Sequence, residues 1–321
     1  MAQLIMHKAD ASNRRVRIEM GNAICYSGYR HGQSPVSGIF PSTAQIAEDL
    51  ELLDQYWKFL RLYDSSQHAE TVLEVISSKK LDLRVMLGAN MTAEISNPNC
   101  PWGADYDANI LTRNRAENDR EIARLIALSQ RYPDIVFSVS IGNEAAVDWS
   151  DHLVPIERLL SQVHRIRPEI AQPITFCDNY VPWTGKLKPL AAQLDFLSVH
   201  TYPVWEYQSI GQALAYTQQN LQTVIDHNPN KTIVITEAGW TTASNGRGIE
   251  PDNASQELQA AYCRQLLDWA RDAGILTFLF EAFDEPWKGS DDPLEPEKHW
   301  GLWTEDRQPK LVLQTLFDDH G

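Results

Sequence analysis

Lys231-Thr-Ile-Val-Ile-Thr-Glu-Ala-Gly-Trp240 decides how the rest of the chain is read. Ile233 to Ile235 is an unbroken β-branched run, which suits a strand buried on both faces, as in a parallel sheet. The run stops at Glu237, with Gly239 and Trp240 just beyond it. A carboxylate at the end of a buried strand is costly unless a site uses it or a cation pairs with it. A second stretch has the same form: Ile135-Val-Phe-Ser-Val-Ser-Ile-Gly-Asn-Glu144, with Trp149 shortly after.

Working outward, similar short apolar runs occupy 23–26, 57–63, 83–87, 174–177, 196–199 and 275–280. With the two glutamate-bearing runs they make eight strands. Helical signals fall between them. Ser42 with Gln45 forms a capping box, and Ile46, Leu50 and Leu53 share one face behind it. Val72, Val75 and Ile76 mark a second helix, and a long third spans roughly 114–130 with Ile122, Leu125 and Ile126 inward. Further helices are read at 156–163, 211–225, 253–273 and 309–317. Strands alternating with helices argue a parallel sheet with right-handed crossovers. Eight such units suggest an α/β chain folded as a closed (β/α)8 TIM barrel. The expected organisation is one domain over 1–321, with 1–17 as a peripheral N-terminal segment. In that fold the site lies at the C-terminal ends of the strands.

Of the 321 residues, 43% are hydrophobic and 22% charged, ordinary values for a globular protein. The formal net charge of −15 argues against nucleic acid and anionic membrane surfaces, which need a basic face. No apolar run reaches transmembrane length, and the first residues lack a basic start with a long apolar core. As it stands the sequence reads as cytoplasmic, or as periplasmic or secreted if a leader was removed. Cys25, Cys100, Cys177 and Cys263 are far apart and show no CxxC spacing, so reduced thiols are expected and zinc is not. There is no GxSxG elbow, HExxH helix or P-loop, and no cofactor or metal is expected. A monomer is the default expectation.

Polar and aromatic residues gather after the strand ends. Two carboxylates on opposite walls of a cleft can cleave a glycosidic bond, one protonating the leaving oxygen and the other attacking the anomeric carbon. Glu144 and Glu237 are therefore expected to face each other across a sugar, about 5 to 5.5 Å apart for a retaining reaction. Asn143 is placed to hydrogen-bond a sugar hydroxyl and Tyr202 to hold the nucleophile. Tyr26, Tyr63, Asp178 and Asn179, together with Trp183, Trp205, Trp240 and Trp287, are the remaining candidates for substrate contact. His200 reads as a hydrogen-bonded histidine rather than a metal ligand. The cluster Glu281, Asp284 and Glu285 is weighed as a cation site and set below ion pairing.

These residues also carry a resemblance. Arg61-Leu-Tyr63, Gly142-Asn-Glu144, Tyr202-Pro203, Thr236-Glu-Ala-Gly-Trp240, Phe283-Asp-Glu-Pro-Trp-Lys288 and Lys298-His-Trp-Gly-Leu302 follow one another in the order found in glycoside hydrolase family 17, the β-1,3-glucanase family of clan A. The resemblance implies a (β/α)8 barrel that acts on β-1,3- or mixed-linkage β-glucans with retention. It implies Glu144 as acid/base, Glu237 as nucleophile, and Glu285 with Lys288 as a charged pair near the site. Where the family signature has proline after Gly-Trp, Thr241 stands here, altering a loop beside the nucleophile. The expected substrate is a β-glucan or laminari-oligosaccharide. A transglycosylase on the same site and a non-catalytic β-glucan-binding barrel are the alternatives.

Overall fold

The structure, a computed structural model, describes residues 16–317. Of the segment read as peripheral, residues 1–15 lie outside the described residues, while the Val16 carbonyl accepts a hydrogen bond from Thr232 at the start of a strand.

The eight strands are β1 (Ala23–Cys25), β2 (Phe59–Arg61), β3 (Arg84–Gly88), β4 (Val136–Asn143), β5 (Ile174–Asn179), β6 (Leu197–His200), β7 (Ile233–Ala238) and β8 (Thr277–Leu279). They pair in parallel in chain order, and β1 closes onto β8. The helices are α1 (Thr43–Leu53), α2 (Gln67–Lys79), α3 (Ala108–Arg131), α4 (Ile156–Ile166), α5 (Lys188–Gln193), α6 (Ile210–His227), α7 (Gln256–Ala273) and α8 (Leu311–Phe317). This is the (β/α)8 barrel that the alternation predicts.

The core has two layers because a strand turns successive side chains to opposite faces. Ala23, Cys25, Phe59, Met86, Val234 and Phe278 fill the barrel interior. Ile24, Leu60, Val85, Val139, Leu197 and Ile235 point outward against Ile46, Val72, Leu125 and Leu266 of the helices. All four cysteines are buried and unpaired with one another, as expected. Among the described residues, no helix is long and apolar enough to cross a membrane.

Local chemistry sets the element ends. The Ser42 capping box forms as read, with Gln45 N donating to Ser42 Oγ at 3.3 Å and Ser42 N donating to Gln45 Oε1 at 2.9 Å. Helix α3 starts earlier than its apolar periodicity suggests. Asp107 accepts from the backbone N–H groups of Asn109 and Ile110 and so caps a polar first turn. The β5–β6 connection holds a one-turn 3-10 helix, Pro182–Thr184, and the short α5, where no helix was read. Six residues beginning Lys-Pro are too few to show a helical period.

Candidate active site

A cleft of about 1100 Å³ opens at the C-terminal ends of the strands. Glu237 lies near the end of β7 and Glu144 directly follows β4. Three strand pairings slip register at this level: β4 with β5 between Ser140 and Asn143, β6 with β7 between Val199 and His200, and β7 with β8 between Ile235 and Ala238. Such irregularities re-aim side chains at a barrel rim. Here one sets Glu237 level with His200 on the neighbouring strand. Glu144 has a left-handed backbone with φ of 47°, uncommon for a residue bearing a Cβ. Its N–H donates to the Cys177 carbonyl at 2.8 Å, which anchors the turn to β5.

Glu237 is 5% exposed and held from three sides. Arg61 Nη1 donates to Oε1 at 2.5 Å, Tyr202 Oη donates to Oε2 at 2.5 Å, and His200 Nδ1 lies 3.5 Å from Oε2. Burial would push this carboxyl up. The charges of His200 and Arg61, with the hydrogen bonds from Tyr202 and Arg61, outweigh it and hold the group down at about 2. The same Arg61 fork also donates to Asn143 Oδ1, tying the residue before Glu144 to the partner of Glu237.

His200 Nδ1 also lies 2.9 Å from Glu144 Oε1, so one ring contacts both carboxylates. Burial disfavours its charged form, but the Glu237 charge and contacts with Cys177 and Glu144 raise it to about 10. The ring is thus an imidazolium at neutral pH. One oxygen of each glutamate and Nδ1 of His200 all lie within 4.8 Å of one another. Three such donor atoms have the spacing of a metal site. The Arg61 guanidinium, bonded to Glu237, already supplies a fixed positive charge there and repels a further cation.

Around Glu144, His152 bridges two acceptors. Nδ1 meets Asp151 Oδ1 at 2.5 Å, and Nε2 meets the Asn143 carbonyl at 2.9 Å. Burial opposes the charge on His152, yet Asp151 and that carbonyl raise its pKa. Lys288 lies in the acidic cluster after β8, with Nζ 2.7 Å from Glu281 Oε1 and 2.9 Å from Glu285 Oε2. Lys310 pairs with Asp284 at 2.7 Å. Each of the three acids, Glu281, Asp284 and Glu285, thus has a lysine partner, and the cluster is ion-paired as the sequence suggests.

Of the residues read from the sequence, the cleft is lined by Glu144, Glu237, Asn143, Tyr202, Glu285, Lys288, Tyr63, Tyr26, Asn179, Trp205 and Trp287. Three others lie elsewhere. Trp240 is fully buried against Tyr262 and donates Nε1–H to the Asn253 carbonyl. Trp183 is buried against Phe176 and donates to the Ser198 carbonyl. Asp178 is fully buried and accepts from the N–H groups of Ala146 and Asn179, so it braces the turn after Glu144. A tryptophan just after a strand reads the same whether its ring turns to the cleft or to the helical layer. Thr241 stands where proline was expected. Its hydroxyl donates to the carbonyls of Ala243 and Pro296, both at 3.0 Å, and stitches the β7 loop to the last loop.

Sequence reading left Arg61, His152, Tyr29 and His68 off the candidate set. Only Arg61 carried a usable signal, an arginine inside an otherwise apolar strand run, which needs a buried anion.

Comparison with known proteins places the fold and the family. The sequence model of a family described as the BtgE/BtgC glycoside hydrolase domain matches residues 23–301. A probable glucan endo-1,3-beta-glucosidase, btgC, of Aspergillus clavatus is 27% identical over 298 residues, 85% of this chain and 40% of that protein. The chain therefore spans well under half the length of that relative. A glucan 1,3-beta-glucosidase of Arthroderma benhamiae is 24% identical over 301 residues, 88% of this chain and 89% of that one. Among solved structures, an endo-laminarinase from Formosa superposes with a TM-score of 0.79 at 27% identity, covering 93% of this chain and 86% of that one. A Rhizomucor miehei beta-1,3-glucanosyltransferase in complex with laminaritriose gives 0.71 at 21% identity, with 91% and 96% covered, a likeness of fold. With the family match running from the first strand past the eighth, over a closed barrel that brings two strand-end glutamates together, this chain belongs to the BtgE/BtgC glycoside hydrolase domain family.

Proposed function

We propose that the cleft hydrolyses β-1,3-glucosidic bonds of β-glucans or laminari-oligosaccharides by double displacement, with retention of configuration. One observation carries this reading: Glu144 and Glu237 meet with single oxygens inside 4.8 Å. Oxygens that near, both on the one His200 ring, suit the roughly 5–5.5 Å carboxyl separation of a retaining site. Glu237, kept anionic by Arg61, His200 and Tyr202, attacks the anomeric carbon. Glu144 protonates the departing oxygen and then activates the water that releases the sugar.

His200 suits both steps because it contacts both carboxylates. Before attack Glu237 is the anion. Once Glu237 is esterified and Glu144 has given up its proton, Glu144 is the anion. The imidazolium remains beside whichever one bears the charge. The names of the relatives, glucan 1,3-beta-glucosidases and an endo-laminarinase, support the choice of linkage.

A second reading, transfer of the glycosyl group to another sugar, is favoured by Trp149 and Trp102 on the Glu144 side of the cleft. They are 37% and 64% exposed and offer flat faces to an acceptor. The test is laminarin turnover by wild-type, Glu144→Gln and Glu237→Gln proteins, with proton NMR of the first product anomer. Each substitution is expected to lower kcat by a factor of about 10³ or more. A loss below about tenfold in either variant, or an α-anomer formed first, sinks the reading. Chromatography at high oligosaccharide concentration separates hydrolysis from transfer, since only transfer gives products longer than the substrate.

A further inference from the structure

At the end of the cleft opposite Glu144, buried polar groups face the space without protein partners. Tyr29, on the loop between β1 and α1, is 3% exposed and its hydroxyl makes no hydrogen bond. His68, in the first turn of α2, is 4% exposed, and its ring is turned to the Ser27 backbone. Trp287, on the loop after β8, has an unbonded Nε1–H. All three line the cleft. Buried polar atoms are nearly always satisfied, so the Tyr29 hydroxyl and the Trp287 indole N–H, unpartnered beside one another, call for a ligand.

The three rings form one wall. Tyr29 lies 6.0 Å from Trp287, edge to face, and 5.3 Å from His68. The wall is several contacts from the reaction centre: Tyr202 meets Phe280 at 5.7 Å, Lys288 Nζ lies 4.5 Å over Phe280, and Trp287 lies 5.9 Å from that same Nζ. A ligand here sits beyond the group bonded to Glu237. The wall supplies one pure donor (the indole N–H), one hydroxyl able to donate or accept, and an imidazole kept neutral because burial lowers its pKa. Asp64 and Glu285 line the cleft nearby and oppose an anion. The complementary ligand is neutral, ring-shaped and rich in hydroxyls.

We propose that Tyr29, His68 and Trp287 form a subsite for a sugar ring on the retained side of the bond being cut, beyond the ring that becomes attached to Glu237. The assignment of side rests on the proposed function. Glu144 protonates the leaving oxygen on the β4 side, and in an eight-stranded barrel β8 and β1 stand across from β4. The wall therefore faces the part of the chain that stays. Cleavage efficiency then depends on how many sugar units lie on that side.

The test compares laminari-oligosaccharides of increasing length with wild-type, Tyr29→Phe and Trp287→Phe proteins, reading kcat/KM and the bond cleaved. Each substitution keeps the ring and removes one polar group. The ratio of kcat/KM on the pentasaccharide to that on the shortest substrate cleaved is expected to fall about tenfold in each variant, mainly through KM, as for one lost hydrogen bond. Tyr29→Phe should not lower the melting temperature, since the hydroxyl has no partner to lose. Unchanged ratios in an active enzyme, or an equal fall at every length, overturn the subsite and leave the proposed function standing. A wild-type protein inactive on every β-1,3-glucan overturns both.

Discussion

Arg61 is a full positive charge inside the barrel, 2% exposed, and it survives there because both terminal nitrogens of its fork have oxygens to meet. Nη1 reaches Glu237 and the Thr236 carbonyl, Nη2 reaches Asn143, and the guanidinium lies 4.4 Å over the Tyr63 ring. His200 is the second buried cation. Its folded pKa of about 10 stands above the ordinary 6.5, so the protonated ring stabilises the fold. That contribution is whole below about pH 6.5 and is lost as pH rises towards 10. Glu237 behaves oppositely: with its value lowered from 4.5 to about 2, its contribution is present above pH 4.5 and lost below it. Wild-type melting temperature is therefore expected to fall between pH 6.5 and 10 more steeply than that of His200→Asn. Parallel slopes in calorimetric scans across that range would show that His200 is not charged in the folded state. At this scale the sequence disclosed the two glutamates and Tyr202. It could not disclose what His200 touches, because Glu144 and Glu237 lie on different strands and meet it only in the closed barrel.

At the scale of elements, the rim of the barrel depends on three register slips and on one close approach. A Cβ on Gly239 would lie 2.2 Å from the Phe280 carbonyl oxygen, far inside contact distance, so glycine lets β7 run against the end of β8 just past Glu237. Gly239→Ala is expected to lower kcat on laminarin by a factor of about 10², because an ångström-scale shift of Glu237, the proposed nucleophile, is costly. Kinetics within about twofold of wild type in a folded variant would mean that the two strand ends give way freely. The helices were legible where their apolar period is strong, as in α1 with its cap. The start of α3 and all of α5 were not, since a polar capped turn and a six-residue helix carry no period.

For the whole molecule, the last loop is tied back to the first helix. Arg307 donates to both oxygens of the fully buried Asp49, at 2.7 and 2.6 Å, and to the Gly28 carbonyl at 3.0 Å. Arg30 and the Tyr26 hydroxyl complete the shell of Asp49. Removing Arg307 leaves the buried Asp49 with Arg30 as its one remaining cation, at a cost approaching the roughly 3–5 kcal/mol of a broken buried pair. Arg307→Met is expected to lower unfolding free energy by about that amount in urea titrations, and a loss under about 1 kcal/mol would show that Arg30 alone satisfies Asp49.

By itself the sequence determined the strand count, the barrel class and the place of two glutamates at strand ends, because β-branched runs ending in a carboxylate are a local signal of burial interrupted by a polar site. The tertiary structure alone decided which tryptophans face the cleft: Trp205 and Trp287 line it, while Trp183 and Trp240 join the core. It also decided that Arg61 and His200 carry the charge balance of the site. The reason is geometric. The direction of a side chain just past a strand depends on register slips against its neighbours, and a slip of one residue exchanges cleft for core.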